Sequence, residues 1–423
     1  MRERYFIILL IILGIMILVD LYSFKGLKLL TKDLNSQQTK TIIHWTYWGI
    51  SGLFLLAMAA IFLKLDVMVN PLNSSWSFLI NSIIMMMVLS KLVFSVFHLA
   101  DDVLHLLRKG GSFLFNEISN KDLPGEPISR MKFLTYVGAA FFTISLGSIG
   151  YGIFRGRFAF RVLKEKLGFN HLPKSFNGFR IVQISDIHIG SFPKYHPSVA
   201  KAIETINNLK PDVIFFTGDL VNNVAPEMEG WDEIFNKLEA PYGKFSILGN
   251  HDYGDYYQWP NLQVKKENLD EVKKYHAKMG FDLLLNENRT IEKEGEKIHL
   301  IGVENWGKPP FVQYGDLAKA RQNVPEEAFK LLLSHDPSHW DEQVIGKTNI
   351  DITFSGHTHG MQFGIEIPGI KWSPVKYKYP RWGGLYNVEN QYLYVNRGFG
   401  HIGFAGRVGM PPEITVIDLE NKA

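Results

Sequence analysis

The stretch Phe179-Arg180-Ile181-Val182-Gln183-Ile184-Ser185-Asp186-Ile187-His188 decides the fold of the second half of this chain. Its apolar run predicts a short buried β-strand, and a carboxylate and an imidazole follow directly where that strand ends. An Asp-x-His pair is common by chance and carries little information alone. It gains meaning because the same arrangement recurs further along the chain.

Four more polar clusters follow, each directly after an apolar run. They are Gly218-Asp219, Gly249-Asn250-His251-Asp252, Ser334-His335-Asp336 and Gly356-His357-Thr358-His359-Gly360. The preceding runs, 213–216, 245–248, 331–333 and 350–354, predict buried strands. Because loops at strand ends converge on one edge of a sheet, we expect these side chains to meet. Histidines, isolated carboxylates and an asparagine are ligands for two divalent metals, which indicates hydrolysis of a phosphate ester.

The order of the clusters resembles the calcineurin-like metallophosphoesterase superfamily, whose pattern is D-x-H, G-D-x-x-D, G-N-H-D/E, an isolated histidine and G-H-x-H. The resemblance extends from about Phe179 to Leu419. The stretches at 356–362, 396–398 and 411–414 are similar to the bacterial membrane-linked branch with the YkuE and YaeI type phosphodiesterases. The resemblance implies a four-layer α/β/β/α sandwich of two mixed sheets. Helical spacing at 197–209 and 267–279 agrees with such an α/β fold.

The resemblance also implies a role for each residue of the site. Asp186, His188 and His359 bind one metal, Asn250, His335 and His357 bind the other, and Asp219 bridges them. Such a bridge holds two cations roughly 3.5 to 4 Å apart, so that a shared water loses its proton near neutral pH. The expected cofactors are two divalent ions from the group Mn, Fe, Zn and Co. The neutral Asn250 leaves the site with a surplus positive charge that attracts a phosphate anion.

His251 directly follows a ligand, and the resemblance gives it the role of general acid beside the leaving-group oxygen. The alternative is that His251 only caps its loop. Many relatives carry an aspartate where this chain has Asn222, so the partner of His251 differs here, and Asp252 is a candidate for that partner. No arginine comes directly after Asn223, so phosphate recognition is expected from the metals, from backbone amides or from a distant residue such as Arg397. A surface arginine at a strand end is the alternative for Arg397.

The first part of the chain carries four long apolar runs, at 5–24, 42–63, 76–100 and 133–154. They predict an all-α transmembrane bundle, although the first run could instead be a signal-like segment. Lys91 interrupts the third run, and a helix end that reaches the membrane surface would explain it. Glycines in the fourth run favour close helix packing. We expect a membrane domain at 1–154, an exposed loop at 116–130, a linker at 155–176 and a metallophosphoesterase domain at 177–423.

The distribution of charge does not decide on which side of the membrane the catalytic domain lies. Four helices place both chain ends on one side, and lysines and arginines are nearly balanced between the two sides. The stretch Ser129-Arg130-Met131-Lys132-Phe133-Leu134 resembles a twin-arginine export signal in which Met131 replaces the second arginine. It favours an extracytoplasmic catalytic domain on a bacterial inner membrane.

Net charge and the lack of cysteine exclude some classes of partner and of catalytic mechanism. A net charge of +3 and the lack of basic runs exclude nucleic acid as an expected partner. With no cysteine, the chain has neither disulfides nor a thiolate nucleophile. The expected function is a membrane-anchored phosphodiesterase or pyrophosphatase that acts on a lipid-linked or cell-envelope phosphate ester. A tethered phosphomonoesterase with a soluble substrate and a non-catalytic scaffold are the alternatives. Aromatic residues at 253–259 and 372–382 predict a substrate wall, a belt on the bilayer or core packing.

Overall fold

The computed structural model describes residues 2–63, 74–114 and 130–423. The chain divides into two compact units, one formed by the N-terminal helices and one by the residues from Gly152 onward. The two units are described in turn.

The described residues of the N-terminal unit form four long helices. They are α1 (Arg2–Leu30), α2 (Gln37–Leu63), α3 (Ser74–Leu114) and α4 (Arg130–Phe154). Each contains a stretch long and apolar enough to cross a membrane. The four predicted membrane helices are therefore confirmed as long apolar helices. The predicted loop 116–130 lies outside the described residues except for Arg130, which begins α4.

A buried polar contact joins the first three helices. The Nζ atom of Lys91 on α3 lies 2.5 Å from Oδ1 of Asp20 on α1 and 2.7 Å from Oγ of Ser51 on α2. Both charged side chains are buried. Lys91 therefore does not extend to the membrane surface, because a counter-charge inside the bundle already compensates its ammonium group. Gly138 on α4 allows the close packing that its sequence predicts, since an added Cβ would lie 3.0 Å from the Phe94 ring.

The second unit contains two mixed six-stranded sheets, which confirms the predicted fold class. The first sheet has the order β1-β14-β2-β3-β4-β5 and the second β12-β13-β9-β8-β7-β6. The strands of the first sheet are β1 (Arg161–Phe169), β2 (Arg180–Ile184), β3 (Val213–Phe216), β4 (Lys244–Ser246), β5 (Asp282–Leu283) and β14 (Glu413–Asn421). Those of the second are β6 (Glu287–Lys293), β7 (Glu296–Gly302), β8 (Lys330–Leu333), β9 (Ile352–Ser355), β12 (Gly384–Val388) and β13 (Gln391–Val395). A separate hairpin is formed by β10 (Ile365–Ile367) and β11 (Ile370–Trp372).

The segment predicted as a linker differs from that expectation. Within 155–176, Arg161–Phe169 form β1, which pairs in parallel with β14 along its whole length. Leu167 and Phe169 are buried in the core cluster between the sheets. The segment is an edge strand, because β1 lies at the end of the sheet order and pairs only with β14. Leu167 and Phe169 pack on the core, while the exposed Lys164 and Lys166 point to the opposite face.

Helices cover the outer faces of the sheets. They are α5 (Pro197–Asn208), α6 (Asp232–Phe235), α7 (Leu262–Lys278) and α8 (Leu317–Ala320), with a π-helix at Trp340–Val344. Short 3-10 turns lie at Gly156–Phe158, Lys174–Phe176, Ile189–Ser191, Ala225–Met228, His359–Gln362 and Pro374–Tyr377. One apolar cluster packs α5 and α7 on the first sheet, and another fills the space between the sheets. The five polar clusters follow β2, β3, β4, β8 and β9, so the sheets deliver them to one region.

Candidate metal centre

The first group of candidate ligands comes from the ends of β2 and β9. The Nε2 atoms of His188 and His359 lie 3.1 Å apart, and Nε2 of His359 lies 3.3 Å from Oδ1 of Asp186. All three side chains are buried. All three residues also have positive φ values, between 45° and 52°. A non-glycine backbone adopts this region at some cost, which is typical of sites where side-chain direction matters.

The second group comes from the ends of β4, β8 and β9. Oδ1 of Asn250 lies 3.1 Å from Nε2 of His335 and 2.8 Å from Nδ1 of His357. The two ring nitrogens are 3.3 Å apart. Each of the three ligand atoms is therefore within reach of a common point.

Asp219 lies between the two groups. Its Oδ2 atom is 3.4 Å from Nε2 of His188 in the first group and 3.2 Å from Nε2 of His335 in the second. Its Oδ1 atom accepts a hydrogen bond of 2.8 Å from the main-chain N–H of His251. Burial alone would raise the pKa of Asp219, but the neighbouring His335 and His251 hold it well below its usual range. The carboxylate is therefore charged and shared by both groups.

The hydrogen bonds of the Nδ1 atoms of His335 and His188 show which nitrogen of each ring is free to bind a metal ion. Nδ1 of His335 lies 2.7 Å from the carbonyl of Thr217, and Nδ1 of His188 lies 3.3 Å from the carbonyl of Val221. A carbonyl accepts only from N–H, so each Nε2 keeps its lone pair for a cation. This arrangement fits divalent ions that accept nitrogen and oxygen ligands together.

In His357 the candidate ligand atom is Nδ1, not Nε2 as in His188 and His335. Its Nε2 atom lies 2.8 Å from the hydroxyl of Tyr379 and 3.4 Å from Oδ2 of Asp336, which leaves Nδ1 toward Asn250. Asp336 belongs to a cluster quoted from the sequence, but its spacing gave no sign of this role. Tyr379 belongs to the aromatic set predicted at 372–382, but nothing in the sequence indicated its hydrogen bond to His357.

Arg407 is a buried residue that the sequence did not indicate. Its guanidinium group lies 3.2 Å from Nδ1 of His359 and donates to the carbonyl oxygens of Arg397, Gly398 and Gly400. Burial lowers the pKa of Arg407 to about 9. These bonds fix the loop after β13 against the segment that carries His359. No motif in the sequence marks this arginine.

His251 lies beside the ligand groups with its ring held by the main chain. Its Nδ1 atom is 2.8 Å from the main-chain oxygen of Asn222, and the ring centroid is 4.9 Å from that of His188. Nδ1–H therefore donates to Asn222, and Nε2 remains available for proton exchange. Burial lowers the pKa of His251 to about 4, while the charge of Asp219 opposes that effect.

Asp252 is not the partner of His251, contrary to one expectation. Its carboxylate accepts hydrogen bonds from the main-chain N–H groups of Asp219, Leu220 and Gly249, at 2.8 to 2.9 Å. It ties the loop after β3 to the loop after β4. Burial and the charge of Asp219 raise the pKa of Asp252 to about 7.

Arg397 is also placed differently from its candidate role in phosphate recognition. It is buried and pairs with Glu413 at 2.5 Å and with Glu366 at 2.7 Å. Both carboxylates compensate its charge, so the guanidinium group has a structural function. The alternative, a surface arginine at a strand end, is wrong because Arg397 is buried.

A carboxylate binds the main chain of the loop whose Asn222 carbonyl orients His251. Glu227 accepts hydrogen bonds from the main-chain N–H groups of Asn222, Asn223 and Val224, at 2.6, 3.1 and 3.1 Å. The side chain of Asn222 accepts a bond of 3.1 Å from Ser191. Glu227 therefore fixes the carbonyl that orients His251. This role could not be predicted, because Glu227 belongs to no motif.

A cavity of about 290 Å³ opens onto the ligand groups. Tyr256, Phe311, Tyr379 and Lys378 line it together with the ligands and His251. Part of the aromatic set thus forms a wall of the cavity, as one expectation held. Tyr253 instead stacks on Tyr314 with ring centroids 3.8 Å apart and is buried, as expected for core packing.

Comparison with protein families gives two matches along the chain. Residues 1–157 match the family described as "Probable Calcineurin-like phosphoesterase, transmembrane domain". Residues 179–361 match the family described as "Calcineurin-like phosphoesterase". The second match includes the β2, β3, β4, β8 and β9 clusters and every candidate ligand.

Three bacterial proteins illustrate the similarity. The uncharacterized metallophosphoesterase YkuE of Bacillus subtilis is 29% identical over 70% of this chain and 98% of its own length. The phosphodiesterase YaeI of Escherichia coli is 26% identical over 69% of this chain and 99% of its own. The UDP-2,3-diacylglucosamine pyrophosphatase LpxG of Chlamydia trachomatis is 30% identical over 58% of this chain and 86% of its own.

Proposed function

Because the chain belongs to the calcineurin-like phosphoesterase family, we propose that it uses two divalent metal ions to hydrolyse a phosphodiester or pyrophosphate bond. Family membership makes it a phosphoric ester hydrolase, and its long apolar helices make it a membrane metallophosphoesterase. The number of ions and the kind of bond are the proposed part.

The position of Asp219 carries the proposal for two ions. Its Oδ2 atom lies within 3.4 Å of a ring nitrogen from each ligand group, which suits a carboxylate shared by two cations. In the proposed assignment Asp186, His188 and His359 hold one ion and Asn250, His335 and His357 the other. When bound, the ions would neutralise the phosphate charge and activate the attacking water.

The chain's own residues supply orientation and a proton. His251 is held by the Asn222 carbonyl, so its other nitrogen can donate a proton to the leaving-group oxygen. Lys378 lines the cavity and offers a positive charge to a phosphate, the role for which Arg397 was a candidate. Tyr256 borders the same cavity, and its hydroxyl oxygen accepts a bond of 3.0 Å from the side-chain amide of Asn250.

Two observations support a lipid-linked substrate. The relatives YaeI and LpxG are named as a phosphodiesterase and as a pyrophosphatase of a diacylated sugar nucleotide. The chain also carries candidate membrane spans, the last of which ends at Phe158, shortly before β1 begins at Arg161. We place the catalytic domain outside the cytoplasm on the basis of the residues from Ser129 to Leu134.

Substrate profiling of the purified full-length protein tests this proposal. Hydrolysis of aryl phosphate monoesters, aryl phosphodiesters, nucleotide pyrophosphates and a lipid-linked pyrophosphate should be compared at equal metal concentration, with Asp219→Asn as a control for contaminating enzymes. We expect higher kcat/KM for diesters or pyrophosphates than for monoesters. A preference for soluble monoesters would support the phosphomonoesterase instead, and no hydrolysis with any metal would support a scaffold.

A further inference from the structure

The β10–β11 hairpin has an unusual distribution of side chains. In its antiparallel register Glu366 pairs with Lys371, while Ile365 pairs with Trp372 and Ile367 with Ile370. The two kinds of pair alternate, so they point to opposite faces of the hairpin. One face is charged and the other is apolar.

The charged face is the one attached to the rest of the catalytic unit. Glu366 lies 2.7 Å from the buried guanidinium group of Arg397, and Nζ of Lys371 donates to the carbonyl of Gly383. The apolar face is open, because Ile365, Ile367 and Ile370 are 49%, 55% and 53% exposed. This is the reverse of a hairpin that faces water, where isoleucines pack inward.

Further apolar residues extend this open face. Met361 and Phe363 precede the hairpin and are 58% and 39% exposed, and Tyr377 follows it at 78%. Isolated exposed apolar residues are common on protein surfaces, but a continuous group is associated with binding to another surface. We call the six residues the apolar rim: Met361, Phe363, Ile365, Ile367, Ile370 and Tyr377.

The apolar rim adjoins, along the chain, residues that line the catalytic cavity. The hairpin lies between the segment 357–362, which carries the candidate ligands His357 and His359, and Pro374–Tyr377, next to Lys378 and Tyr379. Ser373 at its base donates a bond of 2.7 Å to the carbonyl of Gly360, beside His359. The hairpin that carries the rim is therefore fixed, at its base, to the segment that holds His359.

Positive charge accompanies the rim. The ammonium group of Lys376 lies 5.2 Å from the ring centroid of Tyr377, and that of Lys378 lies 5.1 Å from the ring centroid of Phe311. Neither lysine has a carboxylate partner within ion-pair distance among the described residues. Exposed lysines next to apolar and aromatic side chains suit a surface of anionic headgroups above hydrocarbon.

We propose that the apolar rim inserts into the surface of a lipid bilayer, so that a lipid-anchored phosphoester enters the cavity directly from the membrane. The bilayer is the occupant because the catalytic unit follows a candidate membrane span within a few residues. The charges beside the rim also match anionic headgroups. The substrate part of this inference rests on the proposed function, whereas insertion of the rim does not.

Site-specific labelling tests insertion, and the chain is suited to it because it contains no cysteine. The full-length variants Ile367→Cys and Leu262→Cys would be labelled with bimane in nanodiscs that contain anionic lipid. Leu262 is a matched control because it is apolar and 84% exposed but begins α7, outside the rim. Lipids brominated on their acyl chains should quench the label at 367 at least twofold more than the label at 262. Equal quenching at both positions would overturn the proposal.

Substrate presentation tests the consequence for activity. In the same nanodiscs, the triple variant Ile365→Ser, Ile367→Ser and Ile370→Ser should lose at least tenfold in turnover of a bilayer-embedded phosphoester relative to a soluble aryl phosphodiester. A parallel Leu262→Ser variant should keep the wild-type ratio. An unchanged ratio in the triple variant would contradict delivery from the membrane. If the wild-type protein hydrolyses neither substrate, the proposed function fails, and the labelling result still decides insertion.

Discussion

The Nδ1 atom of His251 lies 2.8 Å from the main-chain oxygen of Asn222. The ring that is expected to donate the proton is thus oriented by a carbonyl and not by a carboxylate. A neutral acceptor stabilises the imidazolium form less than a carboxylate does. The carbonyl therefore raises the pKa of His251 less than a carboxylate in its place would. Three hydrogen bonds from the main chain to Glu227 keep this carbonyl in place.

His251→Asn should impair chemistry while leaving metal binding intact, because no ligand atom is removed. We expect turnover to fall roughly 10²- to 10⁴-fold, the usual contribution of a general acid. The loss should be smaller for substrates with good leaving groups, which need no proton. Turnover of a series of aryl phosphodiesters, with metal content measured on the same samples, checks this. Equal losses across the series would remove the acid role.

Asp219→Asn should be more damaging than Asp186→Asn. Both side chains are buried, but only Asp219 lies within 3.4 Å of ring nitrogens from both ligand groups. We expect Asp219→Asn to lower the occupancy of both ions, and Asp186→Asn to lower chiefly one. Metal stoichiometry by mass spectrometry and turnover at saturating metal are the measurements. An Asp219→Asn preparation with two ions and near-normal turnover would contradict the bridging assignment.

Removal of metal should abolish hydrolysis. The ligand set combines imidazole nitrogens with carboxylate and amide oxygens, so Mn²⁺ or another first-row divalent ion should restore activity, and Ca²⁺ should not. Activity would be measured after dialysis against a chelator and again after addition of each ion. Full activity of the metal-free protein would contradict the assignment.

Glu227 gives a prediction for pH. Burial raises the pKa of Glu227 from 4.5 to about 7, although the N–H group of Asn222 opposes the shift. A folded-state pKa above the unfolded one means that the folded protein loses stability as pH rises through this window. Glu227→Gln removes the titration. The stability of the variant relative to wild type should therefore increase by up to ~3 kcal/mol from about pH 4.5 to 7.5.

Denaturation of both full-length proteins, followed by tryptophan fluorescence at several pH values, measures that difference. Stability curves of wild type and Glu227→Gln that stay parallel across the window would contradict the raised pKa. Glu229→Gln is a suitable control, because it removes a carboxylate that makes none of the three bonds to the loop.

The strands and the ligand clusters could be predicted because each cluster directly follows an apolar run. The apolar runs before Asp186, Asp219 and His335 determine where strands end, and strand ends determine where side chains meet. The four apolar helices were predictable for a similar reason, since length and composition alone identify them.

The residues around the ligands could not be predicted, because their roles depend on distance in space. Arg407 contacts His359 across 48 positions of sequence, and Glu227 acts on main-chain groups, which leave no pattern. Asp252 was assigned another role because adjacency to His251 in sequence does not show which way its side chain turns. Arg397 was assigned another role because the sequence does not show that Glu366 and Glu413 pair with it. The strand at Arg161–Phe169 was missed because it is an edge strand with four charged residues, a weak apolar signal.

The ion pair between Asp20 and Lys91 has a consequence for assembly of the membrane part. A lysine in the middle of a spanning helix carries an insertion penalty of roughly 2.5 to 3.5 kcal/mol, and the aspartate that compensates Lys91 lies on α1. Slippage of one helix by a single turn would move the two groups about 5.4 Å apart. The pair therefore fixes the register of α1 relative to α3.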